Sequence, residues 1–553
     1  MPLHPNPDFF TQYAIRQTND YSLSTKLTGI QDNWVTIYAI RDTKLLYAKR
    51  CTLYAIYNIE VFFMKLSKLI TNLDAKEVIG DLNLDIKGIY HDSREIKRDF
   101  LFICIKGFSS DGHDFIDEAI NRGAIALVVE KEIPPRTGIT IIRVDDSRKT
   151  LAILANRFYG FPSGKLKLIG VTGTNGKTTI TYMLRAIFQE AGFKTGLLGT
   201  AQNIIGDNIN SSKMTTMESV DLQKTLKEMV EQKNDYAVME VSSHALQLSR
   251  VEGCDFDAAI FTNISKEHFE IHKNFSNYLK AKKKLFLSLN RSRKEASKKF
   301  AIINIDEEHS KDFIDCNKVN LITYGIEKQA EVRAKNIKIE LKSSSFMVET
   351  PIGDCEIFLN FSGRYNIYNA LAAIATAITQ GISLDIISPA FSKFYGAPGR
   401  YKLLEYGQNY TIVIDFAHNY HGLGNILQNL RNFAPHNIIT VFGHGGGKYS
   451  KVRAIMGEVL GTFSDYVVIT ADNPKSEDPL RIAQEIERGV KKTDKDYIII
   501  VDRVKAIKHA LGKAKEGDIV LLAGKGPENE QIYHNRAIHH NDEEVVRNIL
   551  TGR

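Results

Sequence analysis

Residues 165–200, KLKLIGVTGTNGKTTITYMLRAIFQEAGFKTGLLGT, constrain this chain more than any other stretch. An apolar run leads into a glycine-rich loop. The loop opens a long helix, Gly192 stops it, and a second apolar run follows. Strand, loop, helix and strand in that order make a βαβ unit, which calls for a largely parallel sheet. Within TGTNGKTT (Thr172, Gly173, Thr174, Asn175, Gly176, Lys177, Thr178, Thr179) the two glycines let backbone amides approach phosphate oxygens. The helix N-terminus adds its partial positive charge. Lys177 is placed to reach β- and γ-phosphates, and Thr178 to offer a hydroxyl to Mg²⁺. The strict pattern G-x-x-x-x-G-K-[ST] is not met, because Val171 stands where its first glycine would be. The plainer alternative is a glycine-rich turn that happens to contain a lysine. Strand, loop, helix and GKTT core together favour nucleotide binding.

A length of 553 residues suggests about three domains. Residues 1–63 are Tyr-rich and poorly patterned, and read as an extension, one explanation being an upstream start codon. Residues 64–164 alternate short strands and helices, and YGFPSGK (159–165) punctuates their end. The central domain is placed at 165–395, and the rhythm restarts beyond GAPGR over 396–553. There the strands within YTIVIDFAHN, NIITVFGHGGG, DYVVITADNP and DIVLLAGKG each lead into Gly, Asp, Asn or His. Open α/β sheets bind ligands at the carboxyl ends of their strands, so these ends form one candidate surface. The expected fold is α/β in three domains: a small α/β domain, a central P-loop mononucleotide-binding parallel sheet, and a C-terminal Rossmann-like domain.

The composition, 43% hydrophobic and 25% charged, is that of a soluble globular protein. A net charge of +7 is small for this length and reads as solvated Lys-rich helix faces, so no nucleic-acid partner is expected. Five scattered cysteines without a C-x-x-C point to a reducing cytosol rather than a disulfide framework. No apolar run reaches about 18 residues, so no membrane span is expected. TADNPKSEDP (470–479) ends a strand in a turn rich in polar groups. Such a turn can merely reverse the chain, with Lys475 in solvent. It can also present a carboxylate, an amide and an ammonium to a zwitterionic ligand.

Several stretches in fixed order resemble one family: TGTNGKTT, MEVSSHAL (239–246), TNISKEHFEIH (262–272), YLKAKKKLF (278–286), GRYNIYNALAA (363–373), GAPGR (396–400), DFAHN (415–419), DNPKSEDP (472–479) and AGKGPE (523–528). From about Met64 onward the chain resembles the Mur ligases and their folylpolyglutamate synthetase relatives. The likeness is greatest to the MurE type, which adds the third residue of the peptidoglycan stem to UDP-N-acetylmuramoyl-L-alanyl-D-glutamate. The resemblance implies ATP as co-substrate, an acyl-phosphate intermediate, Mg²⁺, small-molecule substrates, a cytoplasmic monomer, and roles in cell wall biogenesis and cell division.

The resemblance also implies site residues. Lys177, Glu240, His268 and Lys282 fall at catalytic positions, with His244 beside them. Thr178, Glu240 and Lys282, the last as a CO₂-derived carbamate, fall at metal-binding positions. Asn369, Arg400 and Asp415 join the loop around the nucleotide. Ser93 and His113 match the uridine-diphosphate region. Thr215, Thr216, Ser242 and Arg250 match contacts to the muramoyl dipeptide, although Met217 and Leu248 depart from the usual residues. Lys448, Asp472, Asn473, Lys475, Gly524 and Glu528 match the amino-acid pocket. Diaminopimelate-adding members commonly have arginines where Lys475 and Lys448 stand, and Pro527 replaces the usual His. Lysine keeps the charge and loses the planar fork. Two cations would attract a carboxylate and repel a lysine side chain, which favours meso-diaminopimelate, or another acidic amino acid, over L-lysine. Alternatives are a relative that adds L-lysine, one that works in a specialised peptide pathway, and a non-catalytic nucleotide-binding protein.

Overall fold

The computed structural model describes residues 63–552 apart from 108, 109, 213, 266, 268, 292, 435, 448, 449 and 535. All but the last residue of the expected N-terminal extension, together with His268 and Lys448, lies outside the described residues.

The first sheet has five strands in the order Ala75–Ile79, Thr140–Val144, Ala124–Val129, Phe100–Ile103, Gly88–Tyr90. The first runs antiparallel and the other four are parallel. Leu101, Ile103, Val128 and Ile142 on these strands pack on Leu151 and Leu154 of helix Ser147–Phe158.

The central sheet is built around six parallel strands: Thr195–Leu198, Tyr236–Glu240, Lys167–Thr172, Ala258–Phe261, Phe300–Asn304 and Asn320–Gly325. Their near-continuous apolar character is that of strands covered on both faces. Gln202–Ile205 with Asn208–Ser211 extend one edge in antiparallel fashion; on the other edge Val332–Ile339 pairs parallel with Asn320–Gly325, and Ser344–Thr350 and Gly353–Leu359 follow it antiparallel. Val171 is fully buried and pairs with Glu240 on one side and Ile260 on the other. It is still a strand residue, which explains why no glycine is needed there. The same register brings Glu240 and the phosphate loop to one carboxyl edge.

Helix Lys177–Glu190 buries Ile180, Met183, Leu184, Ile187 and Phe188. It packs on helix Arg364–Thr379, which is buried along almost its whole length and rich in alanine. Small side chains let that helix lie close between its neighbours.

The third sheet runs Lys402–Leu404, Thr411–Asp415, Ile519–Ala523, Ile438–Phe442, Tyr466–Ile469, Asp496–Ile499, all parallel except the first. A hairpin, Glu530–Tyr533 with Arg536–His539, follows it and was not anticipated from sequence. One apolar cluster runs from Ile169 through Ala370 to Leu427 and Leu521, so the second and third sheets share a core.

Candidate active site

The phosphate loop is braced from the side. Thr174 N donates to Asn263 O (2.9 Å) and Asn175 N to Asn263 Oδ1 (2.9 Å). Gly176 has φ +90°, and a Cβ there would lie 2.4 Å from Asn369 Oδ1. Glycine is therefore required both by the turn and by the approach of Asn369. Lys177 is folded back onto the loop, Nζ donating to Gly173 O (3.0 Å) and Thr174 O (2.8 Å). Burial lowers its pKa. Thr172 ends the strand with a buried hydroxyl, and Thr179 lines the neighbouring cavity.

Lys282 is 1% exposed, and its Nζ donates to the same Gly173 carbonyl at 2.7 Å. The amine lies 4.6 Å from the centre of the Tyr278 ring, whose hydroxyl is 3.1 Å from Thr174 Oγ1. Burial, and then the neighbouring Lys177, push the Lys282 amine well below the usual lysine range. Helix Phe275–Leu289 explains the choice among four lysines. Its buried stripe is Tyr278, Ala281, Lys282, Leu285, Phe286 and Leu289, and Lys282 alone of the four falls on it.

Glu240 ends its strand buried beside the loop. Thr178 Oγ1 donates to Glu240 Oε1 (3.0 Å), and Thr200 holds both carboxylate oxygens through its N (2.7 Å) and Oγ1 (3.0 Å). Thr200 was not anticipated; its place at the end of the GLLGT strand was the available signal. Arg400 reaches across from the C-terminal side, NH2 donating to Thr178 Oγ1 at 3.2 Å. Its guanidinium stacks 4.6 Å from the Phe416 ring, and burial lowers its pKa.

Beside Arg400 lies a cavity of about 840 Å³ lined by Gly176, Asn369, Arg400, Asp415, Phe416 and His421. That volume is within the roughly 300–1,000 Å³ of small-molecule sites. Asn369 Nδ2 donates to Asn366 Oδ1 (3.1 Å). Asp415 accepts from Tyr401 N and Ala417 N, each at 2.8 Å, so its carboxylate fixes the segment carrying Arg400; burial raises its pKa. Asn419, also unanticipated, donates through Nδ2 to Asn175 Oδ1 (3.0 Å) and joins the loop to the start of helix Tyr420–Arg431.

Thr216 Oγ1 donates to Glu240 O (2.9 Å) and accepts from Ser242 N (3.0 Å). Arg250 NH1 donates to Thr216 O (3.1 Å), and Thr200 Oγ1, whose proton goes to Glu240, lies 3.1 Å from Thr215 Oγ1 and can accept from it. These four expected residues therefore adjoin Glu240. Ser242 also caps the short helix Ser243–Gln247, where His244 stands 5.8 Å, ring to ring, from His272. Beside the first sheet, Ser93 Oγ donates to Glu118 Oε2 (2.9 Å). His113 Nδ1 donates to Asp111 Oδ1 (2.6 Å), and its Nε2 accepts from Glu130 N (3.1 Å). The Ser93 hydroxyl and the His113 ring are thus both engaged within their own domain.

The third group sits at the carboxyl edge of the last sheet. Asn473 Nδ2 donates to Glu528 Oε2 (2.7 Å), while its Oδ1 accepts from Ile532 N (3.0 Å). Lys525, fully buried, donates to Glu528 Oε2 (2.9 Å), Asn473 Oδ1 (3.1 Å) and Asp472 Oδ1 (3.4 Å). Gly524 N donates to Asp415 O (3.1 Å). Lys475 has an exposed side chain, and its backbone is paired with the hairpin: its N donates to Ile532 O (2.9 Å) and its O accepts from His534 N (2.6 Å). Sequence reasoning missed Lys525, although its place one glycine beyond the fully apolar run IVLLA was an available signal. It also missed Arg453, buried on the stripe Arg453, Met456, Gly457, Leu460 of its helix.

A nucleotide loop on one sheet, an arginine from another meeting its hydroxyl, and a separate polar pocket at a third strand edge define a nucleotide-dependent ligase. Residues 85–159 match the Mur ligase family catalytic domain, 171–377 the Mur ligase middle domain, and 399–526 the Mur ligase glutamate ligase domain. The chain belongs to the Mur ligase family. It is 44% identical to the UDP-N-acetylmuramoyl-L-alanyl-D-glutamate--2,6-diaminopimelate ligase of Alkaliphilus metalliredigens, over 88% of this chain and 97% of that one. Identity to the enzyme of the same name from Alkaliphilus oremlandii is also 44%, over 88% and 99%. A solved structure of a ligase of that name superposes with a TM-score of 0.63 at 26% identity, covering 89% of this chain and 99% of that one.

Proposed function

We propose that this protein joins the D-glutamate carboxylate of UDP-N-acetylmuramoyl-L-alanyl-D-glutamate to an amine of meso-diaminopimelate, at the cost of ATP. A carboxylate oxygen attacks the γ-phosphorus and ADP leaves. The amine nitrogen then attacks the acyl carbon, phosphate departs, and the amine gives up a proton. The observation that carries this reading is the Thr178 hydroxyl, held between Glu240 and Arg400 from two sheets with Lys177 one residue away. Cations and amides preorganised around a phosphoryl group stabilise the charge that develops in transfer. Residues 64–164, with Ser93 and His113, are assigned to the uridine-diphosphate end. Residues 165–395 are assigned to ATP, and 396–553 to the amino acid. Among the described residues no helix is long and apolar enough to cross a membrane, and the protein is read as a cytoplasmic monomer.

The buried oxygens of Thr178 and Glu240 fit a hard divalent cation, so these residues would hold Mg²⁺. When bound, Mg²⁺ neutralises phosphate charge. Lys282 is read as carbamylated. Its amine is pushed toward neutrality, and only a neutral amine can add to CO₂, forming an N–C bond and losing one proton. A carbamate there would supply a further anionic oxygen donor. Incubation with ¹³C-bicarbonate should give a carbamate resonance in the wild type and none in Lys282→Ala.

The deciding experiment offers a panel of amino acids with ATP and the UDP-muramoyl dipeptide, and reads product mass. Product with diaminopimelate is expected, with ATP hydrolysis that needs both other substrates. Product with L-lysine alone overturns the substrate assignment, and hydrolysis indifferent to both substrates overturns the ligase reading.

A further inference from the structure

Two loops carry the lysines expected at the amino-acid pocket. One is the glycine loop 443–447 that leads to Lys448; the other is the turn 472–475. Their contact is intimate. Gly446 N donates to Asn473 O (2.8 Å), and a Cβ on Gly446 would lie 1.9 Å from Pro474 O. Behind them stands Arg453, 0% exposed, near the start of helix Lys451–Phe463. Its NH1 donates to Glu477 Oε2 and to Glu485 Oε2, each at 2.8 Å. Its NH2 donates to Glu477 Oε1 (3.1 Å) and Gly445 O (3.3 Å), and Nε to His444 Nδ1 (3.3 Å). Glu477, two residues beyond Lys475, also accepts from Gly447 N at 2.5 Å.

All three guanidinium nitrogens are thus engaged inside the protein, so Arg453 is not available to touch a substrate. What it does is join the loop to the turn. A planar fork that bonds both oxygens of one carboxylate fixes position and orientation together, which a lysine cannot do. We infer that Arg453, acting through Glu477, is a positioning residue for the acceptor amino acid, setting the spacing between the glycine loop 443–447 and the turn 472–475. This rests on the proposed amino-acid-binding role of that surface. Glu485 supplies the internal comparison. It meets the same guanidinium from helix Pro479–Val490 and makes no bond to the glycine loop or the 472–475 turn. A purely structural ion cluster would make Glu477→Gln and Glu485→Gln behave alike.

The test measures KM for each of the three substrates, kcat and the melting temperature of Glu477→Gln, Glu485→Gln and Arg453→Lys. Glu477→Gln should raise KM for the amino acid about tenfold or more, with KM for ATP and for the UDP-muramoyl dipeptide within about twofold of wild type. Glu485→Gln should lower the melting temperature and leave all three KM values within about twofold. Arg453→Lys should follow Glu477→Gln. If Arg453→Lys fails to fold, the two glutamate variants still decide. An unchanged KM for the amino acid in Glu477→Gln, or equal shifts in both glutamate variants, overturns the inference. The assay uses whichever amino acid the wild type accepts, so a wrong substrate assignment is seen in the wild type, while a wrong role for Arg453 is seen only in the variants.

Discussion

The phosphate loop and the amino-acid pocket solve the problem of holding charged groups in opposite ways. The loop concentrates its machinery in eight consecutive residues and borrows one carboxylate, one lysine and one arginine. Its two lysines rest on backbone carbonyls, Lys282 buried and Lys177 half-buried, and half-buried Arg400 rests on the Thr178 hydroxyl. The pocket is assembled from three separated stretches, and its buried cations, Arg453 and Lys525, are engaged with neighbouring acids rather than with open space. Lys475, the cation expected to meet substrate, is exposed. Phosphate transfer needs charge in a dry, preformed setting, whereas in the proposed amino-acid pocket an interior framework holds the selecting side chains at the surface.

That contrast predicts that removing a cation packed against the phosphate loop damages turnover far more than removing an exposed one. Arg400→Ala should lower kcat/KM about 10²–10³-fold in a phosphate-release assay, the usual loss for a preorganised donor at a reacting phosphoryl group. A loss below about tenfold would erase the distinction between the two regions. Lys475→Ala should raise KM for diaminopimelate only about three- to fivefold, because a solvent-screened charge contact is worth at most about 1 kcal/mol. The rise should shrink in high salt, and Lys475→Arg should lower KM below wild type by restoring the fork.

The smallest effect concerns pH. Hydrogen bonding from Arg453 holds the Glu477 carboxyl below its ordinary value. A depressed carboxyl adds stability that is present above its unfolded pKa, near 4.3, and is lost as pH falls through the lower folded value. The gap in urea stability between wild type and Glu477→Gln should therefore be full at pH 7 and close progressively below about pH 4. A gap that widens in acid would show the carboxylate to be a liability in the folded state.

The loop was legible because phosphate binding demands contiguous residues in a fixed order of strand, turn and helix. Glu240 and Arg400 were legible from strand ends and from family likeness. Ser93 and His113 were assigned to substrate, and their polar atoms are engaged inside the first domain. Lys282 needed the likeness, although helical periodicity singles it out: of four lysines, one falls among Tyr278, Ala281, Leu285 and Phe286. The same device would have found Arg453. What periodicity cannot supply is the partner, because Glu477 lies 24 residues from Arg453 and Asp472 lies 53 from Lys525. The antiparallel strands at the sheet edges and the hairpin 530–539 were missed for a related reason: their pairing comes from packing rather than from a repeated local pattern.

The bonds that clamp residue 475 to the hairpin are made by its main chain alone, at a φ of +53°. The position is accordingly an interchangeable socket. Unbranched, polar or glycine replacements should seat there without refolding the turn, while valine, isoleucine and threonine should fit poorly because their branched Cβ resists that conformation. On the proposed role of Lys475, a single codon would retune which building block enters the wall precursor, and the scaffold restricts only the shape of the replacement at its root.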